Sequence, residues 1–446
     1  MSSDTAYKVA AVAIENRVDF EAFTATGQRE TDHIPLLTSG ITRDPGESTP
    51  FAFRVTDQTD LIPPAGPRKP PQTDYLGQIC RGLENGFRKI LLTDGGVAWL
   101  NTLDALVIST PGVVEHNRTL VQLPLWSWNT DAHIEWRQGE RGFDFRNEIE
   151  RILSRLSREL QIHPSLKIKE ISQRVHVVND ATACAAFYYD FLMSGEERDR
   201  RDDGLPDFVY VKFHDGVNVG VVEQGRLFGR RPHPEYGHIY PNLHNLDQGS
   251  GFRGTCRYHG RCLEGVLSLR SFLVRAALDR EGGKSPTGWE AILNQIEASD
   301  TSIEDAQREL FHRLLPDDPD LSDRHAVDLC AHYLAQAIYI LMLSPSCPSR
   351  IVIGGRFAKP AVMAAVYEKL RALMGHYPDR EVFHDLEALV QLAPEVKHLP
   401  DSRRKVEVYG ASVLAMAYAR ARQKHPGGMA SIDILGNRSE STRVRP

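Results

Sequence analysis

Glu235-Tyr236-Gly237-His238, followed after a spacer by Cys256-Arg257-Tyr258-His259-Gly260-Arg261-Cys262-Leu263-Glu264, is the stretch on which the reading of this chain turns. Cys256, His259 and Cys262 recur at three-residue spacing, so a tight glycine-containing loop can turn all three toward one centre. His238 would complete a tetrahedron of two sulfurs and two nitrogens, the donor set that zinc favours. Four protein donors leave no open position for an activated water, so such a metal is structural, and chemistry must fall to Glu235, Glu264 or residues elsewhere. The plain alternative is that these are unrelated loop residues.

Composition sets the frame. At 446 residues the chain exceeds what a single core usually supports, and two lobes are expected. Charged residues at 25% and apolar residues at 41% fit an ordinary globular enzyme and exclude global disorder. A net charge of -6 supplies no basic field for phosphate backbones, and no helix-turn-helix pattern precedes the first strand, so nucleic-acid binding is not expected. Cys80, Cys184, Cys330 and Cys347 are scattered through apolar or helical contexts and read as buried free thiols. The only apolar run near the start, Val9 to Ile14, is too short for a signal-peptide core or a membrane span, which points to a cytoplasmic protein with no membrane partner.

Along the chain, Tyr7 to Ile14 and Val18 to Thr24 read as two strands joined by a very short turn. Seven prolines between Asp44 and Pro71 rule out a continuous helix or central strand there and suggest a surface excursion. An amphipathic helix from Asp74 to Lys89 and a strand from Leu103 to Ser109 imply a parallel sheet. A helix from Gly142 to Leu160, a strand from Arg174 to Val178 and a helix from Ala181 to Met193 follow. Phe208 to Phe213 and Val217 to Val222 form a second strand-turn-strand like the one that opens the chain. Helical patterns then cover Leu263 to Leu278, Trp289 to Ala298, Ser302 to Leu315 and Ala326 to Leu343, before a strand at Arg350 to Ile353 and a last helix from Gly410 to Gln423. The polar tail 425–446 is expected to be flexible.

Asn179-Asp180 lies where a strand ends and a helix begins, the place where open α/β sheets present ligand-contacting side chains. Its plain alternative is a helix N-cap. Taken with the zinc-type motif, Val177-Val178-Asn179-Asp180-Ala181-Thr182-Ala183 resembles the strand-Asn-Asp-Ala string of the ROK family (repressors, open reading frames and kinases), fructokinase-like branch. Thr110-Pro111-Gly112-Val113-Val114, Leu123-Pro124-Leu125-Trp126, Ile351-Val352-Ile353-Gly354-Gly355 and Val408-Tyr409-Gly410-Ala411-Ser412 resemble further family segments, so matches run from about residue 103 to 420.

The resemblance implies a two-lobed actin-like ATPase (ribonuclease H-like) α/β fold with a zinc-binding loop, one lobe over residues 1–128 closed by helix 410–423 and the other over 129–409. It implies transfer of the terminal ATP phosphoryl group to a hexose hydroxyl, with Asp180 as the base. Asn179, Glu235, His238 and Glu264 would hold the sugar, and His238, Cys256, His259 and Cys262 would hold structural zinc. Magnesium and ATP would lie against Asp215, Gly216, Gly354 and Gly355. His238 would serve metal and sugar through its two different ring nitrogens. Family members are commonly homodimers.

The phosphate side departs from the family. Its N-terminal Asp-x-Gly-Gly-Thr-Lys loop appears here as Glu15-Asn16-Arg17-Val18-Asp19-Phe20, without glycine, with a β-branched Val18 and with the added acid Asp19, for which Arg17 could compensate. The second loop appears as His214-Asp215-Gly216-Val217-Asn218-Val219-Gly220. Three functions stay open on these residues: a divergent sugar kinase, a sugar-binding regulator that has lost transfer, and a non-kinase enzyme in which Asp180, Glu235 and Glu264 act as acid and base on a sugar derivative.

Overall fold

The opening apolar run alternates its side chains between two cores. In β1 (Thr5–Ile14), Ala10, Val12 and Ile14 enter one cluster of buried residues and Val9, Ala11 and Ala13 enter another, as a strand covered on both faces requires. The computed structural model describes residues 5–15, 17–27, 54–61, 72–115, 118–124, 133–135, 142–162, 165–193, 207–213, 216–223, 225–227, 236–256, 258–281, 287–298, 303–344, 348–375, 385–393 and 406–424.

β1 pairs antiparallel with β2 (Arg17–Gly27), which pairs with β3 (Arg54–Asp60). On its other side β1 runs parallel to β4 (Ala105–Thr110). A small second layer follows: β5 (Val113–Glu115), β6 (Thr119–Pro124), β7 (His133–Glu135) and β8 (Phe143–Asp144). β9 (Val175–Asn179) then pairs parallel with β4, giving the first sheet the order β3-β2-β1-β4-β9.

The second sheet repeats this plan. β10 (Phe208–Phe213) and β11 (Val217–Glu223) form the hairpin, β12 (Arg226–Leu227) extends it, and β13 (Arg350–Gly355) and β14 (Val390–Leu392) run parallel to β10, in the order β12-β11-β10-β13-β14. Both hairpins end on equivalent pairs, Ile14 with Val18 and Phe213 with Val217.

Helices Gln72–Leu92 and Phe145–Glu159 cover the outer face of the first sheet. Helices Leu269–Arg280, Trp289–Glu297, Ile303–Leu314, Arg324–Met342 and Pro360–Met374 cover that of the second. Between the sheets lie Asp180–Met193 and the closing helix Val406–Lys424, sharing one core with β1, β4, β10 and β13. These two helices cross closely: a Cβ on Gly410 would lie 1.8 Å from the Ala183 carbonyl oxygen, so only glycine fits. The alanines of both segments serve the same approach.

Several expectations need correction. The first lobe does not end at residue 128, because β9 hydrogen-bonds to β4 and Phe145, Ile149 and Ile152 pack in the first lobe's core. The proline-rich segment 44–71 is not wholly an excursion: Arg54–Asp60 is the third strand, with Val55 and Asp57 turned inward. Residues 44–53 and 62–71 of that segment lie outside the described residues, as do Cys347, Trp126 and the tail 425–446. The single helix expected from Leu263 to Leu278 is two, Leu263–Val266 and Leu269–Arg280, because Ser268 caps the second through a reciprocal bond with Ser271. Cys80, Cys184 and Cys330 are buried free thiols. No helix among the described residues is long and apolar enough to cross a membrane.

Candidate active site

The Cys/His loop is built locally. Cys256 and Gly260 exchange two backbone hydrogen bonds across a tight turn in which Gly260 has φ +60°. Cys262 begins the short helix Leu263–Val266, and the Leu263 amide donates to the Ile239 carbonyl, tying this loop to the turn Tyr236–His238. That turn is held in turn by the Tyr236 hydroxyl, which donates to the Ala337 carbonyl.

The donor atoms converge as the spacing predicts. Nδ1 of His238 lies 3.3 Å from Nδ1 of His259, 3.9 Å from the Cys256 sulfur and 3.6 Å from the Cys262 sulfur, and all four lie within 4.8 Å of one another. A tetrahedral zinc would set two nitrogens roughly 3.4 Å apart and nitrogen and sulfur roughly 3.6 Å apart, so this set fits that ion. Hydrogen bonding between the two thiols, with His238 and His259 adding to it at Cys256, pulls the Cys256 thiol down and pushes the Cys262 thiol up, so one proton is shared toward Cys262.

The second charged cluster sits between the sheets. Alternation along β10 sends Val209, Val211 and Phe213 to the outer core, and places Lys212 with Phe208 and Tyr210 on the side of the two central helices. Lys212 is 5% exposed, and its Nζ donates to Glu15 Oε1 at 3.0 Å, Asp180 Oδ2 at 2.7 Å and Glu407 Oε1 at 2.6 Å. Glu15 follows β1, while Asp180 and Glu407 stand in the first turns of the two central helices, where the helix dipole favours a carboxylate.

Burial works against the Lys212 charge, but the pull of Asp180, Glu407 and Glu15 outweighs it and holds the ammonium well above the usual lysine range. Burial, then the neighbouring Glu15, pushes the Glu407 carboxyl up.

Asn179 and Asp180 are brought together with the second lobe. The Asn179 amide donates to the Gly112 carbonyl at 3.0 Å, joining β9 to the turn after β4, and accepts at 3.2 Å from Asn218 on β11. Gly237, next to His238, lies against β11: a Cβ there would stand 2.2 Å from the Val217 carbonyl oxygen and 3.3 Å from Glu264 Oε2. The Cys/His loop, Glu264 and Asn179-Asp180 therefore all border the β10–β11 hairpin. Gly216 opens β11, and Gly354 and Gly355 end β13. Packing already requires the latter two to be glycine, since a Cβ on Gly354 would meet the Tyr210 hydroxyl at 2.2 Å and Gly355 has φ +101°. Glu235 and Asp215 lie outside the described residues.

Arg17 Nε donates to Asp19 Oδ2 at 2.9 Å, so these two charges of the glycine-free loop pair with each other. The Lys212 ammonium occupies the point on which Glu15, Asp180 and Glu407 converge. The sequence reading passed over Lys212, Glu407 and Asn218. A lysine inside the apolar strand Phe208–Phe213 was the signal available.

A protein of Bacillus subtilis (strain 168) that carries fructokinase as a provisional name is 28% identical over 221 residues, 49% of this chain and 57% of that one. The fructokinase of Lactococcus lactis subsp. cremoris is 25% identical over 181 residues, 40% of this chain and 48% of its own. The matches thus span about half the length of these curated relatives. Among solved structures, a ROK family transcriptional regulator, a homologue of the E. coli MLC protein, aligns with a TM-score of 0.52 at 17% identity, covering 93% of this chain and 79% of that one, a likeness of fold. The ROK family sequence model matches residues 168–392, half of the chain, and with the strand order and the Cys/His geometry it identifies this protein as a member of the ROK family.

Proposed function

We propose that this protein is a sugar kinase of the ROK type, transferring the terminal phosphoryl group of ATP to a hydroxyl of a hexose or hexose derivative. The observation that carries this reading is the seat of Asn179-Asp180 at the end of a parallel strand, facing the β10–β11 hairpin of the other lobe. Asp180 takes the hydroxyl proton as the attack proceeds. Asn179, Glu235, His238 and Glu264 orient the sugar; His238, Cys256, His259 and Cys262 would hold zinc, which would leave the other His238 ring nitrogen for the substrate. Nucleotide supplies the group transferred, with Gly216, Gly354 and Gly355 as its nearest approach and the Lys212 ammonium as the fixed positive charge at the centre.

One observation favours a second reading. Asp180 Oδ2 is ion-paired at 2.7 Å, which suits a sugar-binding protein that no longer transfers. A product assay with Mg-ATP and a hexose panel separates the two. Under the kinase reading a sugar phosphate forms, and Asp180→Asn lowers turnover by about 10²–10⁴, the usual worth of a general base, while sugar binding persists. Equal turnover in that variant removes Asp180 as base, and sugar binding without product supports the second reading.

A further inference from the structure

We infer that Lys212 is a tethered counter-cation: its ammonium fills a three-carboxylate seat formed by Glu15, Asp180 and Glu407 and thereby closes that seat to a divalent metal ion.

An ammonium has three N–H donors, and here each is taken by a carboxylate oxygen, at 3.0, 2.7 and 2.6 Å. The three acids come from remote parts of the chain and meet on Nζ. Their side chains are 23%, 14% and 9% exposed for Glu15, Asp180 and Glu407, so water compensates little for a missing partner. Without the lysine, three hard oxygen donors would surround one point, the ligand type that magnesium, calcium and manganese prefer. Calcium binds oxygen at about 2.3–2.6 Å, so the seat would need to contract only slightly to hold it.

The lysine also joins the lobes. Nζ reaches across from the second sheet to Glu15 at the end of β1 and to Asp180 beyond β9, so the fixed charge and the lobe contact are one device. The seat's geometry is the same whether or not the protein transfers phosphoryl groups.

The test uses the full chain with its native metal content, and Mn²⁺ followed by electron paramagnetic resonance. Wild type should bind no Mn²⁺ at this seat. Lys212→Ala should bind one additional Mn²⁺ per chain that wild type does not take up at the same concentration, calcium should compete for it, and Lys212→Ala with Asp180→Asn should lose it. Lys212→Arg, which keeps the charge, should behave as wild type. Equal Mn²⁺ binding in wild type and Lys212→Ala would overturn the inference. If Lys212→Ala does not fold, wild type alone decides: a Mn²⁺ signal that disappears in Glu407→Gln would show the seat open despite Lys212 and refute the proposal, while its absence supports it. Neither sugar nor nucleotide is needed, so failure here is distinct from failure of the kinase reading.

Discussion

Two charged clusters flank the β10–β11 hairpin, and they solve the same problem in opposite ways. At the Cys/His loop four donors converge on a point that suits an ion from solution, and three of the four lie within seven residues of sequence. At Lys212 three carboxylates converge on a cation that the chain carries itself, from partners 197, 32 and 195 residues away. The contrast teaches that one cluster gathers donors that suit an ion from solution, while the other is closed on a cation of the chain itself.

The comparison is broken most severely at the first cluster. Structural zinc is worth roughly 10–16 kcal/mol in zinc-finger peptides, so Cys256→Ser or Cys262→Ser should lose the metal and destabilise the fold more than removal of the Lys212 charge does. Metal analysis of the wild type should give about one zinc per chain; a protein free of zinc contradicts the assignment.

At the second cluster, Lys212→Met leaves the buried Glu407 and the half-buried Glu15 and Asp180 without this counter-charge. A loss of about 3–5 kcal/mol is expected in urea unfolding, the range for breaking a buried ion pair from one side. A loss below about 1 kcal/mol would mean that the ammonium is not paired as described.

Asp190, on the same helix as Asp180, sharpens the contrast with a smaller effect. Burial, opposed by Arg420, pushes its carboxyl up to about 7. The folded state then holds a proton that the unfolded state has released. Stability is therefore fully present below about pH 4 and lost as pH rises toward 7, at about 1.4 kcal/mol per pH unit in between. Asp190→Asn should flatten that slope between pH 5 and pH 6, and an unchanged slope would place the titration elsewhere.

Much of the fold was legible because its signals are local. The alternation of Val9 to Ile14 and the Asn179-Asp180 junction after an apolar strand each report their own element. β3 was hidden because prolines on both sides dominate a segment whose inward residues include a charged Asp57. The lobe boundary was misplaced because strand pairing of β9 with β4 is a tertiary fact that no local pattern carries. Within the site, the Cys/His spacing was readable for the same local reason. Lys212 and Glu407 were not: each is an ordinary surface residue type in sequence, and only the folding of two sheets around two helices makes them neighbours of each other and of Glu15.

The most direct test of the account is calorimetry of the wild-type protein with a panel of hexoses and N-acetylhexosamines, followed by Mg-ATP on the sugar-loaded protein. The account predicts that one sugar binds and that nucleotide binds after it. A protein that takes up neither would contradict the assignment of this cleft to sugar chemistry.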